Sequence, residues 1–183
     1  GSFELIKKFR ASDKKTPIVF MGYMNTFESL GAKQFMSEAV NANLDGILIV
    51  DMPPEESSDF STEAEKVGID IIRLIAPTTS SLRAKKICSL CSGYVYYISV
   101  KGITGASNIN PEEVKAKVSE LRSHTDLPIA IGFGIKDAAS ASSVKDIADG
   151  VVIGSVFVDL IGEGGNIIEK VESKTRELSE VLN

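Results

Sequence analysis

Histidine is nearly absent from these 183 residues. The single copy, His124, sits in the polar connection SHTDLP, so a histidine-based triad has little to build on and a solvated loop residue is expected. Cysteine is almost as scarce. Cys88 and Cys91 form a C-x-x-C within SLRAKKICSLCSG, but no second Cys or His pair accompanies them to complete a zinc site. They read instead as two small side chains on one helix face. No apolar run approaches the roughly 20 residues needed to cross a bilayer, and no basic region followed by an apolar core marks the start, so a cytoplasmic location is expected. Clustered positive charge is missing as well: the net charge is −5 and the Lys and Arg residues are scattered, which leaves no footprint for nucleic acid or an anionic membrane. Linkers rich in Pro, Gly or Ser are also absent, and residues 1–183 read as one domain. The opening Gly1-Ser2 is expected to be a cloning or cleavage scar.

What the chain does contain is a regular alternation. Six short apolar runs rich in β-branched residues occupy 16–23, 46–53, 69–77, 93–100, 128–135 and 149–157, with amphipathic stretches between them. That alternation is the pattern of parallel strands joined by crossover helices. Leu30, Phe35, Met36, Ala39 and Val40 mark one helical face, and Asn110-Pro111 supplies a cap residue followed by proline at a first helical position. Asp137 can cap a helix over AASASSVKDIAD, 167–182 gives a final helix, and Phe3 to Phe9 an opening one. The order accepts two α/β architectures, an open doubly wound sheet or part of an eight-stranded (βα) barrel of TIM type. The missing G-x-G-x-x-G turn after an early strand, and chemistry spread over several strand ends, favour an incomplete barrel of six βα units.

Three glycine-bearing turns follow late strands: KGITGAS (101–107), GFGIK (132–136) and IGSVF (153–157). Glycine lets a backbone approach an anion closely, and a helix start adds N–H donors and a positive dipole end, so together these turns predict a phosphate pocket. The acids are less suggestive. Asp51, in VDMPPEES, reads as a loop acid capping the helix that follows, Glu55 and Glu56 suit a solvated first turn, and Lys101 reads as a surface charge. Tyr94 and Tyr96 share one strand face while Tyr97 takes the other, so core packing and the wall of an aromatic pocket both remain open.

The stretches YYISVKGITGA, PIAIGFGIKDAASA, ADGVVIGS and GILIVDMPPEES resemble corresponding stretches of tryptophan synthase α subunits, in order and spacing, and the likeness runs from Phe3 onward. The resemblance implies a barrel whose strands three to eight are present here. It also implies cleavage of indole-3-glycerol phosphate to indole and glyceraldehyde 3-phosphate, without metal or cofactor, beside a β subunit that takes the indole. Gly105, Gly134, Gly154 and Ser155 fall on the family's phosphate-binding positions. Tyr23, Leu48, Ile75, Tyr96 and Phe133 fall around the indole, Thr104 in the loop that closes over substrate, and Asn25 and Pro53 on contacts with the β subunit. The family's catalytic Glu and Asp precede the first residue matched, so the chain is expected to lack both and to be inactive alone. Six barrel strands would also leave two unpaired edges, through which copies of the chain could associate.

Overall fold

The computed structural model describes residues 1–99, 110–132 and 134–182, apart from the side chain of residue 58. Its contacts divide into two compact units, Gly1–Leu74 with Lys85–Val95 and Ile75–Ala84 with Tyr96–Asn183.

The first unit runs through α1 (Ser2–Arg10), β1 (Val19–Gly22), α2 (Met24–Glu28), α3 (Ala32–Ala42), β2 (Gly46–Ile49), a 3-10 turn (Pro54–Glu56), α4 (Ser58–Lys66) and β3 (Asp70–Ile75), whose last residue belongs to the second unit. Its strands are parallel and follow sequence order, with Phe20 beside Ile47 and Ile47 beside Ile71, then Met21 beside Leu48 and Leu48 beside Ile72. Because strand side chains alternate, the two rows point to opposite faces. The row of Phe20, Ile47 and Ile71 packs into a cluster with Phe3, Phe27, Phe35 and Phe60. Neighbouring rings in this cluster lie 5.0 to 6.5 Å apart between centroids, the spacing of edge-on and tilted aromatic pairs. On the other face Leu48 and Ile72 are buried, yet Met21 is 60% exposed. Among the described residues β1 pairs with β2 alone, so Met21 is covered from one side only.

A charged residue lies deep in the helix layer of this unit. Arg73, on β3, is 4% exposed and donates from Nε to the Leu90 carbonyl at 2.8 Å and from Nη2 to Ser57 Oγ and Ser61 Oγ at 2.8 and 2.9 Å. Burial lowers its pKa, because desolvation disfavours the cation.

The second unit contains the rest of β4 (Val95–Ile98), then α6 (Pro111–Arg122), β5 (Ile129–Gly132), α7 (Ala138–Ser142), β6 (Gly150–Val152), α8 (Ser155–Glu163) and α9 (Ile167–Leu182), while α5 (Ser81–Ser89) spans the boundary. Strands again follow sequence order in parallel. The expected caps form: Asn110 accepts the Glu112 N–H at 3.2 Å ahead of Pro111, and Asp137 accepts the Ser140 N–H at 2.8 Å in a capping box.

A clasp of the same kind is found in each unit. Arg10, the last residue of α1, donates to the carboxylate of Asp45, whose Oδ2 also accepts the Ile18 N–H at 2.6 Å while its own N–H donates to the Ile18 carbonyl at 3.0 Å. Arg122, the last residue of α6, donates to Asp149 Oδ1 at 3.0 Å. Asp149 Oδ2 accepts the Ile129 N–H at 2.8 Å, and its N–H donates to the Ile129 carbonyl at 2.9 Å. In both cases an Asp-Gly pair opens a strand and ties the start of the preceding strand to the helix before it.

Several elements differ from expectation. Each strand is shorter than its apolar run, since the runs continue into the turns that leave the sheet. The short α2 and the 3-10 turn were not expected, and AASASSVKDIAD is α-helical only over Ala138–Ser142, where serine-rich sequence supports little propagation. Cys91 lies beyond α5 rather than on its face. No helix of the described residues is long and apolar enough to cross a membrane.

Candidate anion-binding site

The register of β5 and β6 sets Ala130 beside Gly150 and Gly132 beside Val152. The turns holding Gly134 and Gly154 therefore leave the same end of two adjacent strands. Gly134 has φ +79°, a left-handed conformation that a side chain would strain. Gly154 is the N-cap of α8, and no side chain caps the helix there. Its carbonyl accepts the N–H groups of Phe157 and Val158 at 3.0 and 3.3 Å, and Gly154 and Ser155 are exposed. An uncapped helix start presents backbone donors together with the positive dipole end, and the Ser155 hydroxyl adds a donor at the same place. Electrostatically, this corner suits an anion with several acceptor oxygens. Thr104, Gly105, Lys101 and Phe133 lie outside the described residues.

Tyr96, on β4, is buried against Gly132. A Cβ at residue 132 would sit 2.0 Å from the Tyr96 hydroxyl oxygen, so only glycine leaves room for the ring. The Gly132 carbonyl accepts both the Ser99 N–H and the Ser99 hydroxyl at 2.9 Å, which fixes β5 against the residue that follows β4. The signal for this contact was present in the sequence as the first glycine of GFG, although it reads there simply as part of a turn. Tyr97 is buried too, and its phenol pKa is raised first by burial and then by the carboxylates of Glu113 and Glu120.

The remaining expected residues are placed separately. In the first unit Tyr23 is exposed at the N-cap of α2, Asn25 is exposed on that helix, Leu48 is buried in β2, and Pro53 is half-buried before the 3-10 turn. In the second unit Ile75 is fully buried at the end of β3. Asp51 does not cap the helix after it. Its Oδ1 accepts the Met24 N–H at 2.7 Å, so it caps α2, an element earlier in the chain.

His124 is not the solvated loop residue expected. Its side chain is 16% exposed, and its Nε2 lies 3.0 Å from Ser81 Oγ and 3.9 Å from Glu120 Oε1. Ser123 Oγ lies 3.5 Å from the other ring nitrogen, but the acid at 3.9 Å is beyond hydrogen-bond reach, so no hydrogen-bonded triad is formed. At Cys91 burial pushes the thiol up to about 12, which disfavours the reactive thiolate.

Across all 183 residues the chain matches the family model described as tryptophan synthase alpha chain. The tryptophan synthase alpha chain of Polynucleobacter necessarius is 46% identical over 182 residues, covering 98% of this chain and 69% of that one. Among solved structures, tryptophan synthase subunit alpha of Legionella pneumophila superposes with a TM-score of 0.87 at 31% identity, covering 99% of this chain and 68% of that chain. A chain from the tryptophan synthase α2β2 complex of Pyrococcus furiosus gives 0.87 at 35% identity, covering 98% and 73%. The fold is thus α/β of the TIM-barrel type, incomplete, with six strands where the full barrel has eight.

Proposed function

The chain belongs to the tryptophan synthase alpha chain family, and from that premise we propose that it binds indole-3-glycerol phosphate and glyceraldehyde 3-phosphate through the phosphate without turning them over. The observation that carries this reading is the pairing of Gly134 with the uncapped start of α8 at Gly154 and Ser155, at one end of adjacent strands. A phosphate placed there takes hydrogen bonds from the α8 backbone and from Ser155, and Gly105 is a phosphate-binding position by the family resemblance. By the family resemblance alone, Tyr23, Leu48, Ile75, Tyr96 and Phe133 correspond to residues that surround the indole. By the family resemblance, Thr104 matches a position in the loop that closes over substrate.

The family's retro-aldol cleavage needs a proton on indole C3 and a base for the glycerol hydroxyl. Neither the acid nor the base of the family has a counterpart among these 183 residues. Loss of one such group typically costs roughly 10²- to 10⁴-fold in rate, so the loss of both leaves binding as the measurable activity. The partner consistent with family membership is the tryptophan synthase β subunit, met through Asn25 and Pro53. Calorimetric titration with indole-3-glycerol phosphate and glyceraldehyde 3-phosphate, alongside an assay for released indole, tests the proposal. The expected result is saturable binding without indole release, weakened at least tenfold in Gly154→Asp. A Cβ at 154 meets nothing within 4 Å, so this substitution acts through charge rather than space. Indole release at a family-like rate, or affinity indifferent to the phosphate, overturns it.

A further inference from the structure

We infer that Asp51 is a positioning residue, whose carboxylate locks the start of α2, with Tyr23 and Asn25, to the loop bearing Pro53 and so sets the partner-facing rim of the first unit. This rests on the reading above, in which that rim meets the β subunit.

The geometry begins where the sheet ends. One step past the β1–β2 register, the Val50 N–H still donates to the Gly22 carbonyl at 2.9 Å. Backbone pairing of the two strands then gives way to a side-chain contact, as the Met24 N–H donates to Asp51 Oδ1 at 2.7 Å. Met24 is the first residue of α2, and the N-cap residue Tyr23 is extended and contributes no side-chain cap. The donor at the start of α2 is therefore served from a neighbouring loop, by a group whose negative charge also suits the positive end of the helix.

A five-residue helix has almost no stability of its own. α2 is held at two points. On its inner side Phe27 is buried, with ring centroids 5.0 Å from Phe35 and 6.0 Å from Phe60. At its start it is tied to the next loop by the contact with Asp51 and by the backbone pair just before it. Tyr23 and Asn25 are exposed between these two pins, and Pro53 stands two residues beyond Asp51. A single carboxylate thus couples the three side chains, and a change at residue 51 reaches them without touching the buried rings that hold the unit together.

The test compares the chain with Asp51→Ala and Asp51→Asn. Two readouts are taken: amide exchange at Met24 by NMR, and affinity for purified tryptophan synthase β subunit by calorimetry. Asn keeps an acceptor oxygen where Asp has one, while Ala removes it. Asp51→Ala is expected to speed Met24 exchange about tenfold and to weaken β-subunit binding about fivefold, as loss of a helix-start acceptor allows. Asp51→Asn should restore both to within about threefold, and exchange at buried β2 amides should stay unchanged in both variants. Unchanged Met24 exchange in Asp51→Ala overturns the clamp. Faster exchange with full β-subunit affinity overturns the positioning role. Failure of the unsubstituted chain to bind the β subunit overturns the partner reading and the rim's role with it, while Met24 exchange still reports separately on the clamp.

Discussion

Substituting the same residue type at equivalent points of the two clasps should give very different costs. Arg10 is 8% exposed and donates to the Asn43 carbonyl at 3.0 Å, to the Thr16 carbonyl at 2.7 Å and to Asp45. Hydrogen bonds from a charged group are worth about 1.5–3 kcal/mol each, and a buried ion pair loses about 3–5 kcal/mol when one partner is removed. Asp45 is half exposed and regains water once Arg10 is gone, which discounts the second figure. Arg10→Ala should therefore cost about 2–4 kcal/mol. Arg122 makes the matching contact with Asp149, but its side chain is 49% exposed. Exposed pairs are worth about 0–1 kcal/mol, so Arg122→Ala should cost no more than that. Urea unfolding followed by far-ultraviolet circular dichroism separates the two. With a slope of about 2–3 kcal/mol per molar, Arg10→Ala lowers the midpoint by about 1 M and Arg122→Ala barely moves it. Equal shifts would refute the argument that burial, rather than topology, decides the strength of the clasp.

Gly132→Ala should cost about 3 kcal/mol, because the added methyl would lie 2.0 Å from the Tyr96 hydroxyl oxygen and the surrounding core must yield. Combining it with Tyr96→Leu should recover at least 1 kcal/mol in a double-mutant cycle, and additive losses would count against direct contact. Asp13 accepts hydrogen bonds from the Thr16 hydroxyl and the Thr16 and Lys15 amides, which hold its carboxyl at about 2, below the usual 3.8. A depressed folded pKa gives stability that is complete above the unfolded value and is lost as pH falls through the folded one. Asp13→Asn should thus flatten the acid limb of stability between about pH 4 and 2, and an unchanged limb would assign it to other carboxylates. With Cys88 buried and the Cys91 thiol at about 12, a disulfide exchange reagent at pH 8 should label the folded chain slowly and the unfolded chain at once. Rapid labelling of the folded chain would contradict that burial.

Local chemistry was legible in the sequence. Asn110-Pro111 and Asp137 act within three residues of themselves, and both caps form as their spacing requires. The final helix over 167–182 is equally local, its period carried by Ile167, Ile168, Val171, Leu178 and Val181. What escaped the sequence acts across chain distance. Met24 and Asp51 are 27 residues apart, and Arg10 and Asp45 are 35 apart. No window-sized pattern connects them. His124 was misread for the same reason, since its turn is polar in sequence and its ring meets the Ser81 hydroxyl, 43 residues away. At the candidate site the turns of Gly134 and Gly154 were visible in the sequence, because each follows one of two successive strands. The reason Gly132 must be glycine was not, because Tyr96 lies on another strand.

Arg73 has one more consequence. Apolar surfaces attract without direction, so a helix lying on a sheet by hydrophobic contact alone can slide or roll at little cost. A planar guanidinium cannot follow such a movement. It reaches Ser57 and Ser61 on one side and the Leu90 carbonyl on the other, and the Ser57 hydroxyl in turn donates to the Pro54 carbonyl at 3.0 Å. Rolling α4 on β3 by a fraction of a turn breaks the fork and strands a charge in a dry layer. The attitude of α4, and with it the turn that begins at Pro54, is indexed to one arginine. The exposed rim thus takes its alignment from a charge buried in the helix layer.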